Sequence, residues 1–263
     1  MRTRHRPVPL SVLLIATLGF ALLAIPFLGL AQRTPWSSFA QIATEETVLR
    51  SISLSMIIAT SSACICVILG IPLGWILAKV EFRGLKIVRA VVLLPMVLPP
   101  VAGGTALLFA LGRKGFIGDK LNSWFGITLP FTTAGAIIAA TFVALPFFVL
   151  SIESSATELD SKLEEASLNL GASPIRTFFT VTLPMLRSSI LAGIALSWAR
   201  ALGEFGATIT FAGDNPGQTR TLPLQLFVAL ETNPESAMVI GMLMVVISLS
   251  VLVTLRGNWL VRR

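Results

Sequence analysis

Charge is scarce in this chain: Asp, Glu, Lys and Arg make up 13% of 263 residues, while 54% are apolar. That balance excludes a soluble enzyme of ordinary composition and marks an integral membrane protein. The single histidine, His5, lies in the N-terminal tail, so no histidine-based catalysis or metal cluster can be assembled inside the apolar segments. The two cysteines, Cys64 and Cys66, stand two residues apart within one apolar segment. They are too close for an ordinary disulfide staple and too few for a metal site, so both read as small buried hydrophobes. No G-x-x-x-x-G-K-S/T phosphate loop occurs, and if ATP drives this protein another chain must hydrolyse it. The net charge of +7 does not point to nucleic acid, because a nucleic-acid protein would not carry such apolar runs. Soluble domains, strong internal repeats and low-complexity tracts are also missing, so residues 1–263 read as one domain behind a tail at residues 1–9.

What is present is apolar length. A membrane span needs roughly 20 apolar residues, and six stretches qualify: Leu10–Ala31, Ile52–Ala78, Ile87–Leu111, Thr133–Ile152, Ile190–Phe211 and Ala237–Leu255. The expected class is therefore all-α, a polytopic bundle of six transmembrane helices. The first stretch follows Arg2, Arg4 and Arg6, but its apolar core is longer than the roughly 7 to 15 residues of a signal peptide, so an uncleaved anchor is expected. With the N-terminus inside, thirteen basic residues fall on cytoplasmic segments, among them Lys79, Arg83, Lys86, Arg89, Lys162, Arg176 and Arg187. Six fall outside: Arg33, Arg50, Arg113, Lys114, Lys120 and Arg220. Basic residues favour the cytoplasmic side, so both termini are expected there.

Two spans contain residues that a lipid-facing helix would not tolerate. The third carries Pro95, Pro99, Pro100, Gly103 and Gly104, which must interrupt regular helix hydrogen bonding. Broken backbone at membrane depth survives only where protein buries it or water reaches it, so Pro99, Pro100 and Gly103 are expected to line a pathway, a kinked packing helix being the alternative. Pro72 and Pro146, single prolines in two other spans, read as packing kinks. The fifth span carries Arg200 and Glu204 four residues apart on one face, where an uncompensated charge costs about 3 kcal/mol or more. Two readings stay open for that pair: a mutually satisfied packing element, or a pathway lining that attracts or gates an anion. Gly203 and Gly206 flank Glu204 and would allow close helix approach.

A polar island interrupts the apolar pattern between the fourth and fifth spans, over about residues 157–184. Leu159, Leu163, Ala166 and Leu170 recur at helical spacing as one apolar stripe, with Glu158, Lys162 and Glu165 on another face. Gly171 suits the left-handed position that ends a helix, Ser173 an N-cap, and Pro174 the first position of a second helix. The segment is thus a rigid, charged hook, and four spans before it place it in the cytoplasm.

Glu165-Ala166-Ser167, Gly171 and Val181-Thr182-Leu183-Pro184 resemble the cytoplasmic signature of ABC importer permeases, which runs Glu-Ala-Ala, Gly, then Ile-x-Leu-Pro. Ser167 and Val181 depart from it conservatively. The resemblance implies the type I ABC importer permease fold, a homodimer, and a cytoplasmic dimeric ATPase that holds the ATP and Mg, no cofactor being bound by this chain. Glu165, Ala166, Ser167, Gly171, Leu183 and Pro184 would couple to that ATPase. The run Ala199 to Ala207, followed by Gly213, Pro216-Gly217, Thr219 and Thr221-Leu222-Pro223, resembles permeases for tetrahedral oxyanions. Ala207 to Gly213 and the Leu98 to Gly104 run are more similar to the molybdate group than to the sulfate/thiosulfate group. The resemblance thus implies import of molybdate or tungstate across the inner membrane of a prokaryote, delivered by an extracytoplasmic binding protein; a sulfate/thiosulfate permease is the alternative. The loop from Asp214 to Ser236, rich in turn formers, reads as an exposed region able to touch an external partner.

Overall fold

The computed structural model describes residues 9–257; Arg2, Arg4, His5, Arg6, Arg262 and Arg263 lie outside them, and with them most of the expected tail. The helices run in order α1 Leu10–Arg33, α2 Phe39–Ala43, α3 Glu46–Lys79, α4 Leu85–Val97, α5 Pro100–Leu111, α6 Gly118–Phe125 and α7 Thr133–Glu158. They continue as α8 Lys162–Asn169, α9 Pro174–Thr177, a π-helical turn Phe178–Thr182, α10 Leu183–Met185, α11 Arg187–Leu202, α12 Gly206–Phe211, α13 Leu222–Thr232 and α14 Pro234–Gly257. Among the described residues there is no strand.

Four of these helices, α1, α3, α7 and α14, are long and apolar enough to cross a bilayer unbroken. The other two expected crossings are not single rods. The third stretch is α4 and α5, joined at Leu98–Pro99 with a bend of 119°. At about 1.5 Å per residue neither half reaches the roughly 30 Å of a hydrocarbon core. The break sits at Pro99, where a residue before proline is pushed out of the helical region; Pro95 stays inside α4. The fifth stretch, expected as one helix Ile190–Phe211, is interrupted at Gly203–Phe205, so that α11 and α12 are separate.

The bent α4–α5 pair nonetheless makes one net crossing, and the packing of α3 on α7 shows why. Ser62 donates to the Ile137 carbonyl, Gly70 lies against Phe148, Gly74 against Ile152, and Lys79 Nζ donates to the Leu159 carbonyl. Contacts that advance together along both helices make α3 and α7 parallel. The chain between them must therefore travel the full height of the bundle once. In contrast α11 runs antiparallel to α7, with Ser151 donating to the Ser189 carbonyl and Phe148 lying against Gly193.

The core is built on small residues. Ala136, Ala140, Ala144 and Ala156 of α7 are fully buried with Phe148 and Ile152, so α3 and α11 approach this helix closely. Helix α1 has no buried residue and touches the rest through α14, where Leu30 lies beside Gly241. Its exposed leucines suit lipid contact on the faces turned away from α14. Cys66 is buried as expected, whereas Cys64 is exposed, because two residues along a helix turn a side chain to another face.

Candidate functional site: a charged hook and two meeting helix breaks

The hook begins later than the apolar stripe suggested. Helix α7 continues to Glu158, Leu159 caps it against the core, and the hook starts at Lys162. The reason is Lys79, whose ammonium binds the Leu159 carbonyl and closes α7 there. From that point the corner chemistry is as the sequence indicates. Gly171 has φ +89°, its N–H donates to the Leu168 carbonyl at 2.9 Å, and Ala172 N–H donates to the Ser167 carbonyl at 3.1 Å. These two bonds form a Schellman closure, satisfying two carbonyls at the end of α8. Ser173 Oγ then accepts the Arg176 N–H, and Pro174 opens α9.

Side chains lock the two arms of the hook together. Ser167 and Thr177 share a hydroxyl hydrogen bond of 2.9 Å, and Thr182 donates to Glu164. Glu164 is therefore internal bracing, a role the sequence did not distinguish from its neighbour. Glu165 is exposed, and its carboxylate has no partner among the described residues. Leu163 and Leu170 are 54% and 88% exposed, so the hook's apolar side is left uncovered by its own chain. Ala166 and Pro184 are exposed and Leu183 half-buried at the same end. The root of the hook is anchored by aromatic rings: Phe178, in the π-helical turn, meets Trp75 of α3 edge-on at 5.4 Å, and Phe179 meets Phe178 likewise.

The second element of the site lies inside the bundle, where the two helix breaks meet. A Cβ at Gly206 would stand 2.7 Å from Pro100 Cβ, and one at Gly104 would stand 2.8 Å from the Ala207 carbonyl oxygen. Thus α5 and α12 cross backbone to backbone. Glu204, in the α11–α12 break, is 2% exposed; its Oε1 accepts the Ala207 N–H at 2.8 Å. Its Oε2 lies 2.7 Å from Arg200 Nη1, an ion pair without the alignment of a hydrogen bond. The Arg200 side chain keeps 26% exposure. Carboxylate and guanidinium therefore bridge the break, with the cation the more accessible partner.

Of the residues expected to line a pathway, Pro99 and Pro100 are exposed at the α4–α5 break and Arg200 is half-buried beside the other. Gly103 is buried against Phe142 of α7, so its role is packing. Gly203 is exposed and meets no other helix; only Gly206 serves as a contact. One charge pair escaped sequence reading. Arg89 of α4 binds Glu153 at 2.6 Å and the Leu77 carbonyl at 3.0 Å, tying α4 to α7 and α3 near the hook. Glu153 follows directly on the apolar stretch that ends at Ile152, and that acid at a span end was the available signal.

The loop after α12 is braced. Thr219 is fully buried between the Asn215 N–H and the Gly213 carbonyl, Arg220 pairs with Asp214, and the Leu222 N–H donates to Ser55 of α3. The expected exposed turn region, Asp214 to Ser236, is thus pinned to the bundle and is helical over α13, Leu222–Thr232; only part of it, including Pro216 and Gly217, stays open.

Comparison with known proteins agrees with this architecture. The model of the family described as binding-protein-dependent transport system inner membrane component matches residues 70–263. The chain is 41% identical over 246 residues to the molybdenum transport system permease protein ModB of Mycobacterium tuberculosis, covering 93% of each. It is 35% identical over 238 residues to a probable sulfate transport system permease protein of Marchantia polymorpha, covering 89% of this chain and 82% of that one. A bacterial alginate ABC transporter solved in complex with an alginate-bound periplasmic protein superposes with TM-score 0.75 at 16% identity, over 94% of this chain and 92% of that one. Matched over most of its length in sequence and fold, the chain belongs to the inner-membrane permease components of binding-protein-dependent transport systems.

Proposed function

We propose that this chain is the permease subunit of an ATP-driven importer that moves molybdate, and the isosteric tungstate, across the cytoplasmic membrane by alternating access. The observation that carries the substrate is the 41% identity to a molybdenum permease across 93% of both chains, against 35% for the sulfate relative. A homodimer, a cytoplasmic ATPase pair and an extracytoplasmic binding protein complete the assembly. ATP and its Mg belong to the ATPase, and nothing in this chain is asked to do chemistry. The hook end of the bundle is cytoplasmic, and so are both termini.

The mechanism uses the two parts of the site in series. ATP binding draws the ATPase pair together and pulls the hooks with it. Glu165 anchors each hook through a charge-assisted contact with a basic partner residue, while the uncovered leucines seat in the partner's cleft. Gly171 keeps the corner rigid, so displacement of α8 is carried through Phe178 to Trp75 and α3. Within the bundle, the breaks at Pro99 and Glu204 let short half-helices tilt where whole spans would resist. Arg200, the more accessible member of its pair, offers the passing anion a cation only when Glu204 is partly drawn away. Arg200→Ala strips a buried carboxylate of its counter-ion and so lowers the amount of folded permease, but Glu204 keeps the Ala207 N–H and transport is expected to fall further. Equal loss of both, by uptake assay and quantitative blotting, would assign the pair to packing alone.

The substrate is tested by competition. Labelled molybdate uptake is expected to persist in excess sulfate and to fall in excess tungstate. The specific rival is a sulfate/thiosulfate permease, favoured by the sulfate relative; displacement of molybdate by excess sulfate would establish that reading instead.

A further inference from the structure

At the end of the bundle opposite the hook, a cavity of about 120 Å³ lies between the first turn of α3 and the loop after α12. Arg50, Arg220, Glu46, Gly217 and Gln225 stand on its wall. Neither guanidinium is exhausted by its carboxylate. Arg220 gives Nε and one terminal nitrogen to Asp214, at 2.6 and 2.9 Å, and keeps its other amino group. Arg50 binds Glu46, one turn earlier on the same helix, through Nη2 alone, and its Nη1 points past Gly217, where a Cβ would stand 3.9 Å away. Both members of the Arg50–Glu46 pair are 66% or more exposed, so the pair is weak and readily exchanged. The Gln225 Oε1 is buried and accepts no hydrogen bond; turning the amide over presents two N–H donors in its place.

The loop that carries Arg220 is rigid before any ligand arrives. Gly213 and Gly217 hold left-handed turns at φ +73° and +75°, and Thr219 ties both sides of the loop together. These are residues of the very motif that resembles oxyanion permeases, and the hook and the helix breaks leave that motif without a task. Two guanidinium forks on a fixed frame match the oxygens of a doubly charged tetrahedral anion, which a single ammonium could not grip in the same way.

We propose that this cavity is a landing site for a tetrahedral oxyanion at the outer mouth, held by the spare donors of Arg50 and Arg220 and by the Gln225 amide. The proposal rests on the oxyanion-import reading above. Glu46 acts there as a competitor: it occupies Arg50 until the dianion displaces it, which keeps the site weak enough to release its cargo inward.

The test uses the permease with its ATPase in lipid nanodiscs, without binding protein, titrated with labelled molybdate or sulfate by equilibrium dialysis. Saturable binding is expected, weakening with added salt, as screening of exposed charges requires. Arg50→Gln is expected to weaken it about tenfold, the scale of one charge-assisted contact. Glu46→Gln is expected to tighten it severalfold. Opposite signs from two residues one turn apart cannot arise from a shared structural role. No saturable binding by the wild-type complex, no change in either variant, or weakening by both would overturn the site. So would acetate competing as well as sulfate at equal ionic strength, which would assign the cavity to a partner protein's carboxylate. Uptake by wild-type proteoliposomes with binding protein separates the two levels: no oxyanion uptake sinks the import reading, while uptake with unaltered binding in the variants sinks only the landing site.

Discussion

Gly206→Val is expected to leave little folded permease in the membrane, whereas Gly203→Ala, three residues away, is expected to be close to neutral. The contrast follows from what each new carbon would meet. At Gly206 it would stand 2.7 Å from Pro100 Cβ and 3.2 Å from the Val101 nitrogen, so it drives the α5 and α12 backbones apart. Overpacking of this kind costs about 1–3 kcal/mol in soluble cores. Here the displaced segment also carries the Ala207 N–H that holds Glu204, and a buried carboxylate losing its partner adds a penalty of a few kcal/mol. At Gly203 the nearest atom is the Ala199 carbonyl oxygen at 3.7 Å, on an exposed turn. Thermal unfolding of purified variants checks both. Normal stability of Gly206→Val would mean that the two breaks do not bear on one another.

The second large effect is functional. Gly171→Val is expected to uncouple ATP hydrolysis from uptake while the protein still inserts at normal levels. No atom of the chain crowds a Cβ at Gly171, so the variant meets no clash. What it meets is φ +89°, a left-handed backbone that a β-branched residue adopts only at a cost of roughly 1–2 kcal/mol. The Schellman closure then loosens, and α8 no longer moves as one piece with α9. Uptake per ATP hydrolysed, measured with the loaded binding protein in proteoliposomes, should fall about fivefold to thirtyfold, the factor that 1–2 kcal/mol represents. Gly171→Asn should fall much less, since asparagine tolerates the left-handed region. Full uptake with normally coupled hydrolysis in Gly171→Val would contradict a mechanical role for the corner.

How the hook and the spans were legible differs in kind. Corner residues act through local backbone preference: Gly171, Ser173 and Pro174 each favour one conformation regardless of what surrounds them, and all three adopt it. The start of the hook depends on a distant residue instead. Leu159 continues a helical stripe, but the turn that separates it from Leu163 is held by Lys79, eighty residues earlier in sequence. Periodicity cannot report a contact of that range. Likewise Glu164 and Glu165 are adjacent acids of identical propensity, and only the return of Thr182 to the first of them separates a brace from an exposed carboxylate.

Sequence by itself determined that the chain is membrane-embedded, that its hook turns at Gly171, and that the third span could not be a regular helix. Those properties are set by apolar length, by proline and glycine backbone constraints, and by the cost of charge in hydrocarbon, all of which act locally. Tertiary structure decided that α3 and α7 run parallel, that the break at Pro99 meets the break beside Glu204, and that Gly206 rather than Gly203 is the point of contact. Such pairings depend on which side chain fills which gap between helices remote in sequence, and a small residue announces only that something can come close, not what does.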